Sequence, residues 1–332
     1  MHRILVLDNL SEEGVEVFRN AGFEVDVKPP QKPAELAAII NDYDGLVVRS
    51  ATKVNAEALA GVTRLKVVGR AGAGTDNIDK DAATEKGIVV MNTPGGNTIS
   101  TCEHTFALML ALCRNIPKAD VSMHAGRWDR KAFMGTELFG KTIGIVGMGR
   151  IGGALAKRAK AFEMMVLAFD PILSPLKAEA LGVELVGMDE IYANADFISI
   201  HAPKSEKTNN MITMAEMKRM KPNCRIINCA RGGIVNEADL AEALKQGVIA
   251  GAALDVYTSE PFENNPFTGL ENIVMTPHLA ASTDEAQLTV AIDVANQMVD
   301  YLKTGAIVNA VNVPSLDSET RKTLQPLLFL AE

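Results

Sequence analysis

Residues 142–170 read TIGIVGMGRIGGALAKRAKAFEMMVLAFD. Thr142–Val146 is a short apolar, β-branched run, the pattern of a buried strand. Gly147, Gly149 and Gly152 follow as G-x-G-x-x-G. Over 151–162 the apolar residues fall at helical spacing (Ile151, Leu155, Ala159, Phe162), and Met165–Phe169 predicts a second strand, closed by Asp170. Each glycine has a physical reason in a dinucleotide site. The first permits a tight turn, the second lets a diphosphate approach the backbone, and the third lets the helix pack close to the strand. The helix N-terminus then offers free N–H groups to the anion. Asp170 lies 18 residues after Gly152, where a carboxylate accepts from both ribose hydroxyls of NAD. The same charge repels the extra phosphate of NADP, and no arginine follows immediately.

Outward from this unit, short β-like segments alternate with longer α-like ones. Strands are predicted at 3–8, 23–28, 45–49, 65–69 and 88–92, with Ser11 as an N-cap and Gly22 as a helix stop. Around the glycine loop they fall at 142–147, 165–170, 197–201, 224–229, 251–255 and 272–276. Such alternation predicts parallel sheets covered by helices on both faces. Long helices are predicted over 99–114 and 284–302, and the β-branched stretch 305–316 is read as returning to the first domain. The expected fold is α/β, with two Rossmann/flavodoxin-like parallel-sheet domains joined by two long hinge helices. The first is discontinuous (1–97 plus 285–332), and the second, 98–284, is the NAD-binding Rossmann domain. In open α/β sheets ligands sit at the carboxyl ends of the strands, which places the active site in the cleft between the domains. The segment 317–332 reads as a short helix with an apolar finish, LLFLA, that either docks or is the stump of an extension.

Composition narrows the partners. The 332 residues carry 33 basic and 41 acidic side chains, a net charge of −8, which argues against nucleic acid. With 47% hydrophobic residues the chain can bury sizeable cores. The start MHRILVLDNL reads as a strand rather than a signal peptide, and no apolar run is long enough for a bilayer. Cys102, Cys113, Cys224 and Cys229 lack metal or C-x-x-C spacing, so buried reduced thiols, no metal and a cytoplasmic protein are expected.

Three residues at successive strand ends suit hydride chemistry on a 2-hydroxy acid. His278, in TPHLAAST, follows the last strand and is suited to exchange the hydroxyl proton near neutral pH. Glu260, in TSEPF, could hold its tautomer, and Arg231, in CARGG, offers a planar bidentate donor to a substrate carboxylate. His2 and His124 read as solvated, and His104 as a hydrogen-bonded structural histidine in the long helix. His201 reads as a satisfied strand-end histidine. A phosphorylated substrate needs cations opposite the cofactor, and Arg49 and Arg70 end strands of the first domain.

With GMGRIG, CARGG, SEPF and TPHLAAST in that order, the chain resembles the D-isomer-specific 2-hydroxyacid dehydrogenases over nearly all of 1–314. VVRSATKV (47–54), GRAGAGTDNID (69–79), NTPGGNT (92–98) and GRWDRKAFMGTEL (126–138) narrow the likeness to members acting on a phosphorylated acid. The resemblance implies that Arg231 orients the carboxylate, Glu260 pairs with the histidine and His278 is the acid/base. It implies that Arg150 and Ile151 flank the pyrophosphate, that Asp170 takes the ribose, that Cys229, Ala230 and Arg231 line the nicotinamide and that Asp255 contacts its carboxamide. Ala202, Ala280 and Ala281 complete the expected cofactor site. Ser50, Gly72 and Ala73 join Arg49 and Arg70 in the expected substrate site. Arg130 and Lys131 lie in a region that crosses to the partner subunit in this family, which implies a homodimer or higher homo-oligomer. The expected reaction is NAD-dependent oxidation of 3-phospho-D-glycerate to 3-phosphohydroxypyruvate, the entry to serine synthesis. The alternatives are a reductase of glyoxylate, hydroxypyruvate or another 2-keto acid, or an NAD-sensing corepressor. Long members of the family carry C-terminal domains that sense serine, and 317–332 stands where such an extension would begin.

Overall fold

The computed structural model describes residues 1–314, so the proposed helix at 317–332 lies outside the described residues. In chain order the strands are β1 (Arg3–Val6), β2 (Glu24–Val27), β3 (Gly45–Val48), β4 (Val67–Arg70), β5 (Val89–Asn92), β6 (Thr142–Val146), β7 (Met165–Phe169), β8 (Glu184–Leu185), β9 (Phe197–Ile200), β10 (Arg225–Asn228), β11 (Gly251–Leu254) and β12 (Ile273–Met275). The helices are α1 (Glu12–Asn20), α2 (Pro33–Ile39), α3 (Lys80–Glu85), α4 (Thr98–Cys113), α5 (Ile116–His124), α6 (Arg150–Ala161), α7 (Pro175–Leu181), α8 (Met188–Asn194), α9 (Met214–Met217), α10 (Glu237–Gln246) and α11 (Asp284–Thr304). Two compact units result, one of Met1–Asn97 with the chain from Ser282 onward, the other of Thr98–Ala281.

The first unit holds a five-stranded, all-parallel sheet in the order β2-β1-β3-β4-β5. Parallel strands must be covered on both faces, so the inner strands β1, β3 and β4 are mostly apolar, whereas the edge strand β2 alternates as Glu24-Val25-Asp26-Val27. Successive side chains nevertheless feed opposite cores. Leu5 and Leu46 pack with Leu36 and Leu59, whereas Ile4 and Val47 pack with Phe18 and with Val294 and Met298 of α11. After α11 the chain lies antiparallel to β5. The Val311 N–H donates to Val90 O (2.9 Å), the Asn92 N–H donates to Asn309 O (3.2 Å), and Ala310 bridges Met91.

The second unit holds seven parallel strands in the order β12-β11-β10-β9-β6-β7-β8. Six are predicted by the sequence pattern. The seventh, β8, pairs only Glu184 and Leu185 with Leu167 and Ala168, too short a run to show any period. The Leu65 strand also shifts, since β4 begins at Val67 and ends on Arg70 rather than Gly69. The long helix predicted from residue 99 stops at Cys113, where Asn115 takes a left-handed backbone (φ 52°) and Pro117 enters the first turn of α5. Among the described residues no helix is long and apolar enough to cross a membrane. All four cysteines are free and buried.

One device recurs in both units. Asp44 precedes β3, donates from its N–H to Arg3 O (2.8 Å) and accepts the Arg3 N–H on Oδ2 (2.9 Å). Asp196 precedes β9, donates to Thr142 O (2.8 Å) and accepts the Thr142 N–H on Oδ2 (2.9 Å). Each aspartate thus sets the register between the first strand of its sheet and the strand across the topological switch.

Candidate active site

The glycine loop joins β6 to α6 at the carboxyl edge of the seven-stranded sheet. A Cβ on Gly152 would overlap the Gly147 carbonyl oxygen, so only glycine allows this approach of helix to strand. A Cβ on Gly149 would meet nothing within 4 Å, which leaves open space beside the N-terminus of α6 for a diphosphate. Arg150 and Ile151 form the first turn of that helix. Asp170 follows β7, and its carboxylate is aimed by the backbone. Oδ2 accepts from Met148 N, inside the glycine loop, at 2.7 Å; Oδ1 accepts from Ile172 N at 2.8 Å and Leu173 N at 3.2 Å. Oδ2, with a single donor, retains acceptor capacity. These residues fit a dinucleotide.

The remaining groups follow along the same edge in spatial order. His201 and Ala202 follow β9, Cys229–Arg231 follow β10, Asp255 and Glu260 follow β11, and His278 follows β12. At about 4.8 Å per strand, Asp170 and His278 stand five steps and about 24 Å apart along the sheet. Gly232 brings the β10 and β11 loops together, since a Cβ there would overlap the Tyr257 carbonyl group. Asn228 Nδ2 donates to Arg231 O (2.9 Å), and Arg231 Nη1 donates to Ala230 O (2.7 Å). Glu237, at the start of α10, pins the β11 loop by accepting from Thr258 N (2.5 Å) and Thr258 Oγ1 (2.7 Å).

His278 Nδ1 lies 2.6 Å from Glu260 Oε2, and Glu260 Oε1 accepts from Tyr257 N at 2.8 Å. A carboxylate only accepts, so Nδ1 carries the proton and Nε2 is left as the basic nitrogen. The hydrogen bond to Glu260 raises the His278 pKa above the ordinary imidazole value; partial burial opposes it, Asp255 adds to it and Arg231 subtracts. Burial alone would raise the Glu260 carboxyl, but the bonds from His278 and the Tyr257 amide hold it below its ordinary value.

The His278 backbone is left-handed (φ 55°), a conformation that costs a non-glycine residue about 1–2 kcal/mol. Asp255, fully buried, holds it there. The His278 N–H donates to Asp255 O (2.9 Å), the Leu279 N–H to Oδ1 (2.7 Å) and the Ala280 N–H to Oδ2 (2.9 Å). Burial would raise this carboxyl, yet bonds from His104, Thr276 and the two amides keep it below its usual range. Oδ2 has a spare lone pair, but the side chain has no exposed surface, so the carboxamide contact expected from the sequence is not open to a ligand here. Burial pushes the Cys229 thiol up to about 12 and pulls His201 down to about 4, so both are neutral at pH 7. His201 Nε2 lies 2.9 Å from Ser199 Oγ. His124 is exposed, but His2 is not the solvated terminal residue expected. It packs edge-on against Phe23 and beside Asp44, 3.6 Å away.

In the first unit, Arg49 and Ser50 follow β3, Arg70 ends β4, and Gly72 and Ala73 continue the β4 loop. Asp8, Thr52 and Asn77 shape this edge. Asp8 Oδ2 accepts from Arg49 N (2.9 Å) and Thr52 N (3.0 Å), and Asn77 Nδ2 donates to Arg49 O (2.8 Å). The Arg70 guanidinium lies over Gly72, where a Cβ would collide with Nη1. Arg130 and Lys131 lie on an exposed 3₁₀ turn, Arg130–Phe133, of the second unit. Asp8, Thr52, Asn77, Glu237 and Thr276 were not among the site residues read from the sequence. Of these only Asp8, a carboxylate at the end of an apolar run, leaves a local signal.

Residues 106–280 match the family model "D-isomer specific 2-hydroxyacid dehydrogenase, NAD binding domain". The chain belongs to the D-isomer specific 2-hydroxyacid dehydrogenase family, and its second unit contains the NAD-binding domain. It is 49% identical to the D-3-phosphoglycerate dehydrogenase of Archaeoglobus fulgidus over 99% of this chain and 63% of that protein. It is 47% identical to that of Methanocaldococcus jannaschii over 100% of this chain and 63% of that protein. It thus spans about three fifths of these relatives' length. A glyoxylate reductase structure from Paecilomyes thermophila aligns with TM-score 0.86 and 27% identity, over 93% of this chain and 98% of the other.

Proposed function

We propose that the chain catalyses NAD-dependent oxidation of 3-phospho-D-glycerate to 3-phosphohydroxypyruvate. The 2.6 Å bond between His278 and Glu260, on one sheet edge with Arg231 and the glycine loop, carries this reading. The 49% and 47% identity to D-3-phosphoglycerate dehydrogenases supports the substrate. Arg231 clamps the substrate carboxylate with parallel N–H donors. His278 Nε2 takes the hydroxyl proton, and Glu260 stabilises the imidazolium that forms and holds the ring's tautomer. In reduction the protonated ring returns that proton to the keto oxygen. NAD, when bound, supplies the hydride acceptor, with its diphosphate on Gly149, Arg150 and Ile151 and its ribose on Asp170. Ala202, Cys229, Ala230, Ala280 and Ala281 would line its path. Arg49 and Arg70, with Ser50, Gly72 and Ala73, bind the phosphorylated end of the substrate. Arg130 and Lys131 serve the neighbouring subunit's phosphate site in a homodimer. Exposed Ile116, Val121, Met123, Trp128 and Met134 on α5 and the turn after it support that assembly.

The likeness to a glyoxylate reductase favours a second reading, reduction of an unphosphorylated 2-keto acid by the same Arg–Glu–His set. Initial rates of NADH formation with 3-phospho-D-glycerate, D-glycerate, D-lactate and D-2-hydroxyglutarate separate the two, with His278→Ala as control. A strong preference for the phosphorylated acid, abolished in the variant, is expected. Equal or better rates with unphosphorylated acids would discard the serine-pathway reading and leave Arg49 and Arg70 without their task.

A further inference from the structure

We propose that His104 is a positioning residue for the His278–Glu260 pair, acting from α4 through the buried Asp255 carboxylate. This role rests on the dehydrogenase reading of His278. His104 Nε2 lies 3.2 Å from Asp255 Oδ1 and 3.0 Å from Thr276 Oγ1. Thr276 Oγ1 itself donates to Asp255 Oδ1 at 2.5 Å, because the carboxylate can only accept. Its oxygen therefore presents lone pairs to His104. Both neighbours of Nε2 are acceptors, so Nε2 carries the proton and the imidazole is a donor shared between them.

Four donors compensate the Asp255 charge: His104, Thr276 and the amides of Leu279 and Ala280. The two amides belong to the loop that holds His278 in its left-handed conformation. The two side chains serve to keep the carboxylate ionised and aimed at those amides. Asp255 is fully buried, so losing one donor leaves a desolvated charge underbonded. The carboxylate then rotates or takes up a proton. Rotation releases the Leu279 and Ala280 amides, and protonation removes a negative charge beside His278. Either result loosens the imidazole from Glu260 and lowers its proton affinity. The groups facing His278 are Glu260, Asp255 and Arg231; around Asp255 stand His104, Thr276, Cys229 and Tyr257. Of the latter set only His104 and Thr276 donate side-chain hydrogen bonds to the carboxylate.

The experiment compares His104→Ala, His104→Asn and His104→Gln in the full chain. A glutamine amide reaches the place of Nε2, whereas asparagine is too short. The first readout is the His278 imidazole titration by proton–carbon NMR without substrate, its signal assigned by its loss in His278→Ala. In His104→Ala and His104→Asn the midpoint should fall by about one pH unit, and in His104→Gln it should stay near the parent value. The second readout is the pH profile of 3-phospho-D-glycerate oxidation. In the alanine and asparagine variants kcat should fall about tenfold, with the KM for NAD changed less than twofold. If His104→Ala does not fold, His104→Asn carries the comparison. An unmoved titration in the folded alanine or asparagine variant overturns the proposal, as does an equal shift in all three. A shifted titration in a chain that oxidises no hydroxy acid upholds the positioning role and refutes the dehydrogenase reading.

Discussion

Replacing Glu260 with glutamine keeps the shape and a carbonyl acceptor but removes the charge opposite His278. Two opposite unit charges with centres about 4 Å apart attract by about 4 kcal/mol at an effective dielectric of 20, and by about 1 kcal/mol in water. The His278 side chain is 48% exposed and that of Glu260 35%, which places this pair toward the watery limit. Screening leaves about 1–2 kcal/mol, or roughly one pKa unit. The sign follows from the direction of the shift. Glu260 raises the folded-state pKa of His278, so its loss moves the midpoint down toward the ordinary imidazole value. Oxidation requires the neutral imidazole, so the acid limb of kcat/KM should move about one unit toward lower pH. The plateau kcat should fall about 10–100-fold, because a glutamine whose carbonyl accepts the Tyr257 amide turns its NH2 toward His278 Nδ1 and favours the other tautomer, and because the imidazolium is less stable. Stability moves the same way. The pair's contribution is complete below the unfolded pKa and is lost as pH rises through the raised folded value, so parent and variant should converge in melting temperature at alkaline pH. The assay is a pH–rate series from pH 5 to 10 with 3-phospho-D-glycerate and NAD, beside thermal melts over the same range. An acid limb that stays in place would refute the assignment of Glu260 as the partner that sets His278.

Other substitutions probe the scaffold around this pair. Gly232→Ala drives a methyl group into the Tyr257 carbonyl and should cost about 1–3 kcal/mol of stability while separating Arg231 from Glu260. Calorimetry and kcat check it, and parental values for both would contradict the close approach. Asp170→Ala removes a carboxylate that also holds the Met148 amide, so NADH should bind about 10–100-fold more weakly and discrimination against NADPH should shrink. Fluorescence titration reads both, and an unchanged NADH affinity rules out the ribose assignment. Asp44→Asn keeps the size but weakens the contacts to Arg64, Lys66 and the Arg3 amide around a side chain only 9% exposed. It should cost about 2 kcal/mol at pH 7. The Asp44 pKa is depressed, so the difference from the parent should be full above about pH 4 and vanish as pH falls through the folded value.

The stretch 142–170 carried most of what was legible. Its strand, glycine turn, helix and acid lie close in sequence, and local spacing suffices to read them. Arg231, Glu260 and His278 were legible for a different reason. Each lies in the loop after a strand of one sheet, and parallel topology places successive strand ends on one edge. The groups that hold these residues in place were hidden, because they act across long separations and bond to backbone. Asp44 reaches Arg3 across 41 residues and Asp196 reaches Thr142 across 54, yet in sequence each is one acid before an apolar run. His104 reaches Asp255 across 151 residues, and its helix shows only that a polar residue interrupts an apolar face. The two aspartate anchors show what such contacts decide. Strand order alone would allow β3 to slide on β1, or β9 on β6, and a slip of one residue turns every side chain to the other face. By pairing both the N–H and the carbonyl of the first strand's opening residue, each aspartate removes that freedom at the amino edge. The carboxyl edge inherits the resulting register. His278 and Glu260 meet at 2.6 Å on loops that follow the paired strands β11 and β12, with the second loop held by the Asp255 carboxylate. The geometry of the proposed catalytic pair thus rests on Asp255 at the carboxyl edge, while Asp196 fixes the same sheet at its amino edge.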